Sequence, residues 1–490
     1  MSIATQLGKK FKSEFSGQLI ATIAGTGLTL ILARLLDPSG YGILFYSISI
    51  FSIVKVFSNL GIPKSAARYI AENKDSSPEL IPTILRTSIS YNVLIILFVS
   101  VSFYFIHPFV AEVSSEPNSK ELLKVGTLYI VFSSTSFSAR IIAQGFEDIK
   151  LSAVINVTKR VSQLILVVGF VLLGYGIIGA LWGFIIGFCL ATLVGFCVIY
   201  HRYYLNSGRP EISNLPQNIS RKILEYSIPL SITNMSGKLD SKVDTILVGI
   251  LMNPVSVSYY VIGKQVISVS QMPASALGFS ISPTYGKNKE EGNQSTSAKI
   301  FEKSLIYTLL IYLPCAAGLF LISSPTISLI FGPEYHGAVP VLQTFSAYLI
   351  LQSITQITDN PLDYLGRARE RAIAKGISSV SNVVLNLFLI PWIGVVGAAI
   401  ATVITHTFYN LVKLYIVYSE LPVEVSRIVA PIGKIILITG AMSIVVGYLA
   451  QDVHSMITLA FIIAIGILVW GVMSIITGAI DTSLVRESLG

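Results

Sequence analysis

Lys55, Lys159, Arg160, Lys238, Lys242 and Lys264 fall within apolar stretches long enough to cross a bilayer, and Arg34 falls at the end of one. Two carboxylates, Asp240 and Asp244, share that setting. Ammonium and guanidinium groups at such depth can hold the oxygens of a phosphate or another anion through charge-assisted hydrogen bonds. Facing lipid, each would cost about 2.5–3.5 kcal/mol at a helix centre, so seven would oppose insertion by roughly 20 kcal/mol. They must therefore line water or find partners, and two acids cannot neutralise seven bases. The pattern implies a hydrated, positively charged cavity that awaits an anion.

Residues 238–244 sharpen this reading. At 100° per residue, Lys238 and Lys242 share one helical face, about 40° apart, while Asp240 and Asp244 share the roughly opposite face. No lysine–aspartate pair within the helix has the spacing needed to meet, so each face looks elsewhere. Asp240 and Asp244 read either as ion-pair partners or as a coupling-ion site. Lys55 and Lys264 could also snorkel or pair structurally, and Arg34 sits where snorkelling is the simpler account. Asp359 and Asp363 read as partners for the arginines that follow them, and His406 as a packed core residue.

The elements that would position these groups follow from composition. Of 490 residues, 53% are hydrophobic and 12% charged, against about 25% charged in soluble proteins. Lipid must be the solvent over most of the surface. Stretches of about 20 apolar residues span a hydrocarbon core, and fourteen occur: about 14–36, 41–63, 82–106, 121–144, 151–174, 177–200, 223–252, 257–282, 299–322, 339–362, 372–391, 395–418, 429–449 and 456–478. Open sheet edges cannot face lipid, so the expected fold is an all-α integral membrane protein. The basic cluster Lys9-Lys10-Phe11-Lys12 before the first stretch resembles a signal peptide, but no small-residue cleavage site closes it. It reads as a retained anchor.

The chain repeats itself. Leu35-Leu36-Asp37-Pro38 returns as Leu251-Met252-Asn253-Pro254, 216 residues on, and Gly176-Ile177-Ile178-Gly179-Ala180 returns as Gly394-Val395-Val396-Gly397-Ala398 at an offset of 218. Six spans per copy bring both copies into the membrane from the same side. The expectation is two six-helix lobes, 1–210 and 211–420, related by a pseudo-two-fold along the membrane normal, with two further helices in 421–490. Segment 201–222 is polar and reads as a linker between the lobes. Lys and Arg gather in alternate loops, among them Lys64, Arg68, Lys150, Arg202, Arg221, Arg367 and Arg371, which places those loops and both termini in the cytoplasm.

Cys189, Cys197 and Cys315 lie in apolar runs and read as packing residues. There is no phosphate-binding GxxxxGK[ST] loop and no HExxH pair, so no cofactor, metal or catalytic residue is expected. The outer loops, about 107–120 and 323–338, are short for a membrane-embedded glycan polymerase or ligase. A scaffold would not need buried cations.

Taken together, the chain resembles the oligosaccharide-repeat flippases of polysaccharide biosynthesis, from the superfamily of multidrug, oligosaccharidyl-lipid and polysaccharide exporters. The resemblance is carried by Ala33-Arg34-Leu35-Leu36-Asp37-Pro38-Ser39-Gly40-Tyr41-Gly42, Leu60-Gly61-Ile62-Pro63-Lys64-Ser65-Ala66-Ala67-Arg68-Tyr69, Val243-Asp244-Thr245-Ile246-Leu247-Val248-Gly249 and Tyr259-Tyr260. It implies alternating access in the cell membrane, with a polyprenyl-linked glycan as cargo. The family's aspartate in the seventh helix falls on Asp244. The expected substrate is a lipid-linked oligosaccharide on a polyprenyl phosphate or pyrophosphate. The expected partners are membrane lipids and a glycosyltransferase or polymerase of the same pathway, with no nucleic acid. The alternative is an ion-coupled exporter of small anionic or drug-like molecules. A pump for organic cations should line its cavity with carboxylates, which the charge balance opposes.

Overall fold

The computed structural model describes residues 20–113, 119–205 and 219–479, with the side chains of 228–240 outside the described set. The described residues of the fourteen expected spans fall largely on helix, the first described from Ile20 and the eighth divided at Gln271. In chain order these are α1 (Ile20–Leu35), α2 (Pro38–Asn59), α3 (Ile62–Asn73), α4 (Ile81–Val113), α5 (Ser119–Gly145), α6 (Ile149–Phe170), α7 (Gly176–Ile199), α8 (Ile219–Leu251) and α9 (Pro254–Ser270). There follow α10 (Met272–Glu290), α11 (Gln294–Leu321), the short α12 (Ser323–Thr326), α13 (Val339–Tyr364), α14 (Ala368–Ile393), α15 (Val395–Glu420), α16 (Val425–Leu449) and α17 (Met456–Ile476). Among the described residues, ten helical stretches are long and apolar enough to cross a membrane. Large apolar side chains such as Trp392 (80% exposed) and Ile457 (82%) stand on the outside, as they do where lipid is the solvent.

The described parts of the two expected outer loops are helical. α4 runs on to Val113, and residues 323–338 wind through three short helical turns instead of a loop. The second expected span is broken. Leu60 (φ 34°) and Gly61 (φ 69°) take left-handed conformations one after the other, and α3 restarts beyond them.

The repeated Leu-Leu-Asp-Pro element has a structural cause. Asp37 accepts a hydrogen bond from the Gly40 amide at 3.2 Å, and Asn253 accepts one from the Ser256 amide at 2.8 Å. Each side chain caps a helix that opens on proline, whose missing N–H would have been an orphan there. The repeat recurs at the α5–α6 and α13–α14 corners. Each first helix ends (Gly145, Tyr364), a left-handed residue follows two positions on (Glu147, φ 55°; Gly366, φ 82°), and the next helix starts two beyond that. Left-handed Gly176 (φ 54°) and Gly394 (φ 71°) then introduce α7 and α15.

The chain packs as two compact units, one up to Val257 and one from Ser258. In the first, α8 lies against α2 and α3. At one end a side chain on Gly42 would meet the Pro254 carbonyl oxygen at 1.8 Å, so the backbones touch. At the other end Ser65 Oγ donates to the Ile223 carbonyl at 3.0 Å and the Arg68 guanidinium stacks 4.3 Å from the Tyr226 ring centroid.

Helix α7 carries a stripe of small residues four apart: Gly179, Gly183, Gly187, Ala191 and Gly195. A β-carbon on Gly183 would stand 2.6 Å from the Val167 backbone, and one on Gly187 would stand 2.5 Å from Gln163 Cγ. This stripe lets α7 lie directly on antiparallel α6, the close approach on which helix association in lipid relies. In the second unit, buried residues of α11, α13, α15 and α16 form the main apolar core, while α16 and α17 pack with α11.

A direct test follows from the α7 stripe. Gly183→Val should destabilise the purified protein by about 1–3 kcal/mol, the range for overpacking, read as a fall in thermal midpoint in detergent. Gly169→Ala on α6, where a β-carbon meets nothing within 4 Å, should leave the midpoint unchanged.

Candidate functional site

The first unit holds a cavity of about 70 Å³ between α2, α5, α6 and α7. Its lining includes Lys55 from α2, Arg140 from α5 and Lys159 from α6, with Ser133, Ser136, Asn156, Phe137 and Phe188. Among the described residues no carboxylate lines it. Three cations therefore face one small space, and the other described residues that line it are neutral.

Each cation has a local support. Lys159 Nζ donates to Asn156 Oδ1 at 2.7 Å, one helical turn back on α6. Lys55 Nζ lies 5.6 Å from both the Phe137 and Phe188 ring centroids, and Arg140 Cζ lies 5.8 Å from Phe137. Rings at that distance attract cations through their quadrupoles, by about 0.5–2 kcal/mol depending on desolvation. They hold the ammonium without cancelling its charge. Arg140, Arg160 and Lys55 are each close enough to Lys159 to repel it. Arg160, next in sequence, turns toward α1, where its guanidinium lies 3.5 Å from the place a Gly25 β-carbon would occupy. A side chain at Gly25 would crowd it.

A second polar patch lies on another face of α5. Ser138 Oγ is within hydrogen-bond distance of Asn92 Oδ1 (2.6 Å), the Ser134 carbonyl (2.9 Å) and Asn59 Oδ1 (3.4 Å). One hydroxyl proton serves three acceptors, so these residues form a shared network of neutral groups.

The remaining sequence-derived residues are dispersed. Arg34 is exposed at the end of α1 and does not line the cavity. Lys242 is half-buried on α8, and Asp244 is 2% exposed. The side chains of Lys238 and Asp240 lie outside the described residues. Lys264 belongs to the second unit, where its Nζ lies 5.1 Å from the Tyr260 ring centroid.

Comparison with known proteins matches residues 7–288 to the family model described as polysaccharide biosynthesis protein. The chain belongs to that family. Residues 229–392 also match the MatE model. A probable low-salt glycan biosynthesis flippase of Haloferax volcanii is 23% identical over 417 residues, covering 82% of this chain and 84% of its own. A lipopolysaccharide biosynthesis protein of Escherichia coli is 22% identical, covering 79% and 75%. Among solved structures, a lipid II flippase in an inward closed conformation superimposes with a TM-score of 0.76 at 20% identity, covering 95% of this chain and 98% of that one. An inward-facing multidrug transporter gives 0.63 at 15% identity, covering 83% and 95%. The all-α membrane architecture expected from hydropathy is thus the architecture of the fold.

This polysaccharide biosynthesis protein carries two further cations that the depth reading passes over, half-buried Arg140 and buried Lys413. Arg140 sits five residues from the end of α5 and reads from sequence as a cytoplasmic helix end. Lys413 lies seven residues from the end of α15 and is fully buried. Its Nζ donates to Asp359 Oδ1 at 2.9 Å, and Tyr409 donates its hydroxyl to the same oxygen at 3.1 Å. Arg371 reaches Asp359 at 3.6 Å and Asp363 at 2.9 Å, the pairing expected for those acids. His406 packs edge-on to Tyr348, ring centroids 4.9 Å apart, as expected of a core residue.

The signal that could have located Lys413 is its spacing. It closes the α15 stripe Gly397, Ala401, Thr405, Tyr409 and Lys413, the counterpart of the α7 stripe.

The network predicts strong coupling. Asp359→Asn leaves Lys413 buried without its full counter-charge and should cost about 3–5 kcal/mol. Adding Lys413→Met should recover most of that loss. A thermal-unfolding double-mutant cycle measures it, and additive losses would show that the two groups do not act as a pair.

Proposed function

We propose that this protein moves a lipid-linked oligosaccharide, carried on a polyprenyl phosphate or pyrophosphate, from the cytoplasmic to the outer leaflet of the cell membrane. The observation that carries the reading is the first-unit cavity. It holds three cations and no described carboxylate, within a membrane-spanning member of a polysaccharide biosynthesis family. Lys55, Lys159 and Arg140 would grip the phosphoryl oxygens, with Arg160 adding positive potential from the α1 side. Sugar hydroxyls would stay in water while the polyprenyl chain remains in lipid. The names of the relatives in Haloferax volcanii and Escherichia coli, which concern glycan and lipopolysaccharide biosynthesis, support this substrate class.

The cycle would expose the site alternately to the two leaflets, with both termini cytoplasmic as the Lys and Arg bias implies. Movement of cargo, without bond cleavage, is the work assigned to these residues, so the protein acts as a transporter. Lys238, Lys242 and Lys264 would add to the positive potential along the path, and Asp240 and Asp244 would serve as ion-pair or coupling groups. Arg34 would meet phosphate at the membrane interface. Export of organic cations is disfavoured, because a cationic guest would meet like charge at this cavity.

The test is transport. Replacing Lys55, Lys159 and Arg140 together with Gln should lower the appearance of glycan at the outer leaflet of reconstituted vesicles by about 100-fold or more, since hydrogen bonds to charged groups contribute about 1.5–3 kcal/mol each. Conservative Lys55→Arg with Lys159→Arg should retain most of the rate. Undiminished transport by the Gln variant at equal membrane abundance overturns the reading.

A further inference from the structure

The neutral network around Ser138 borders a second cavity of the first unit, of about 250 Å³, with walls from α3, α4, α5 and α7. From α5, Thr135, Ser138 and Ile142 line it, whereas Ser133, Ser136, Phe137 and Arg140 line the cation cavity. At 100° per residue these two sets lie on opposite faces of the helix.

Two polar groups of this second cavity are left over. Asn92 Nδ2 and Ser88 Oγ have no hydrogen-bond partner among the described residues, and their side chains are only 5% and 1% exposed. The other end of the amide fixes its orientation. Ser138 Oγ lies 2.6 Å from Asn92 Oδ1, a spacing that suits O–H···O and is short for N–H···O, so the NH2 end is the one turned away. The cavity is thus offered two amide protons and a hydroxyl, which call for an acceptor oxygen.

Water alone does not suit the rest of the space. Each water takes about 30 Å³ and needs two to four polar partners. Thr135 and Thr192 spend their hydroxyls on each other and on backbone carbonyls. The remaining walls include Ile62, Ile89, Val93, Ile142 and Phe196, which favour hydrocarbon. The cavity also reaches lipid, since Val93 is exposed together with its α4 neighbours Leu94 and Leu97.

Depth identifies the guest. The 27 residues of α5 rise about 40 Å, the thickness of a bilayer with its headgroups. Ser138 and Thr192 each stand seven residues before the ends of α5 and α7, and Ser88 stands seven beyond the start of α4. They lie about 10 Å inside the membrane face read above as cytoplasmic. That is just below the headgroup layer, where the glycerol-linked oxygens of a phospholipid lie. Arg86 completes the match. It is exposed and shares the Val93 face of α4, seven residues and about 10 Å nearer the headgroups. A guanidinium there can hold a phosphate through charge-assisted hydrogen bonds.

We propose that the cleft between α4 and α7 holds one phospholipid of the bilayer. Arg86 takes its phosphate, the Asn92 amide and Ser88 hydroxyl take a glycerol-linked oxygen, and one chain lies against Ile89, Val93 and Phe196. The lipid joins α4 to α7, each of which packs on α5, and braces the first unit from its lipid side. None of these residues lines the cation cavity, so the inference stands apart from the cargo reading.

The experiment is native mass spectrometry of the full chain, delipidated in detergent and titrated with phosphatidylglycerol. Dioleoylglycerol, which lacks the phosphate, is the comparison. One tightly held phosphatidylglycerol per chain is expected, with dioleoylglycerol weaker by about tenfold or more. Arg86→Gln should weaken phosphatidylglycerol by about the same factor, the loss of a charge-assisted bond, and leave dioleoylglycerol unchanged. Arg86→Lys should restore most of the affinity. Asn92→Leu should weaken both lipids by about three- to tenfold, the range of one neutral hydrogen bond. Lys434→Gln, which removes an exposed cation on α16, should change neither.

No lipid held by the unaltered chain, or full affinity in Asn92→Leu, overturns the site. Equal losses in Arg86→Gln and Lys434→Gln mark unspecific annular binding and also overturn it. Tighter binding of farnesyl diphosphate than of phosphatidylglycerol, lost in the same variants, gives the cleft to cargo and overturns the resident lipid. Should Asn92→Leu fail to fold, Arg86→Gln at its exposed position decides.

Discussion

A charge taken into a bilayer must meet water, an opposite charge or a polarisable face, and this requirement orders much of the molecule. Lys413 meets Asp359. Lys55 meets the faces of Phe137 and Phe188, and Lys159 meets the Asn156 amide oxygen. These solutions differ in what they leave behind. A carboxylate cancels the field of a lysine, whereas a ring or an amide holds the group in place without itself supplying a counter-charge.

Close backbone packing makes that distinction possible. Small residues every fourth position along α7 bring it onto α6, and Gln163, Ile155 and Val167 fill the contact. That face of α7 carries almost no side chains, and at its far end a β-carbon on Gly195 would meet Ala139 of α5 at 2.8 Å and Ile155 of α6 at 2.9 Å. On α15 the same face begins with Gly397 and Ala401 and ends in Tyr409 and Lys413, so the geometry persists while the interior is filled.

Much of this was legible in the sequence. Hydropathy located the apolar helices, ten of which among the described residues are long enough to span, and Lys55 and Lys159, picked out by depth, line one cavity. Arg140 and Lys413 escaped because depth counted from a helix end treats the last two turns as interfacial, whereas neighbouring helices bury them. Rotation about each helix axis is also invisible to hydropathy, which is why Arg34 and Lys159 looked alike by composition but differ in exposure. The repeat was found at offsets of 216 and 218, but the α5–α13 correspondence needs 219. The exchange of Arg140 for Asp359 emerges only when backbone corners set the register. Residues 323–338, short and rich in Pro, Gly and Ser, read as loop, but their prolines fall where a helical turn can begin.

The break at Leu60 and Gly61 has a mechanical consequence. A continuous helix transmits torque along its ladder of i to i−4 hydrogen bonds, and two successive left-handed residues interrupt that ladder. Lys55 sits little more than one turn above the interruption, while Ser65 and Arg68, which touch α8, sit just below it. The α3–α8 contact is therefore joined to Lys55 along the chain through two residues outside the helical ladder, while α8 also packs directly on α2.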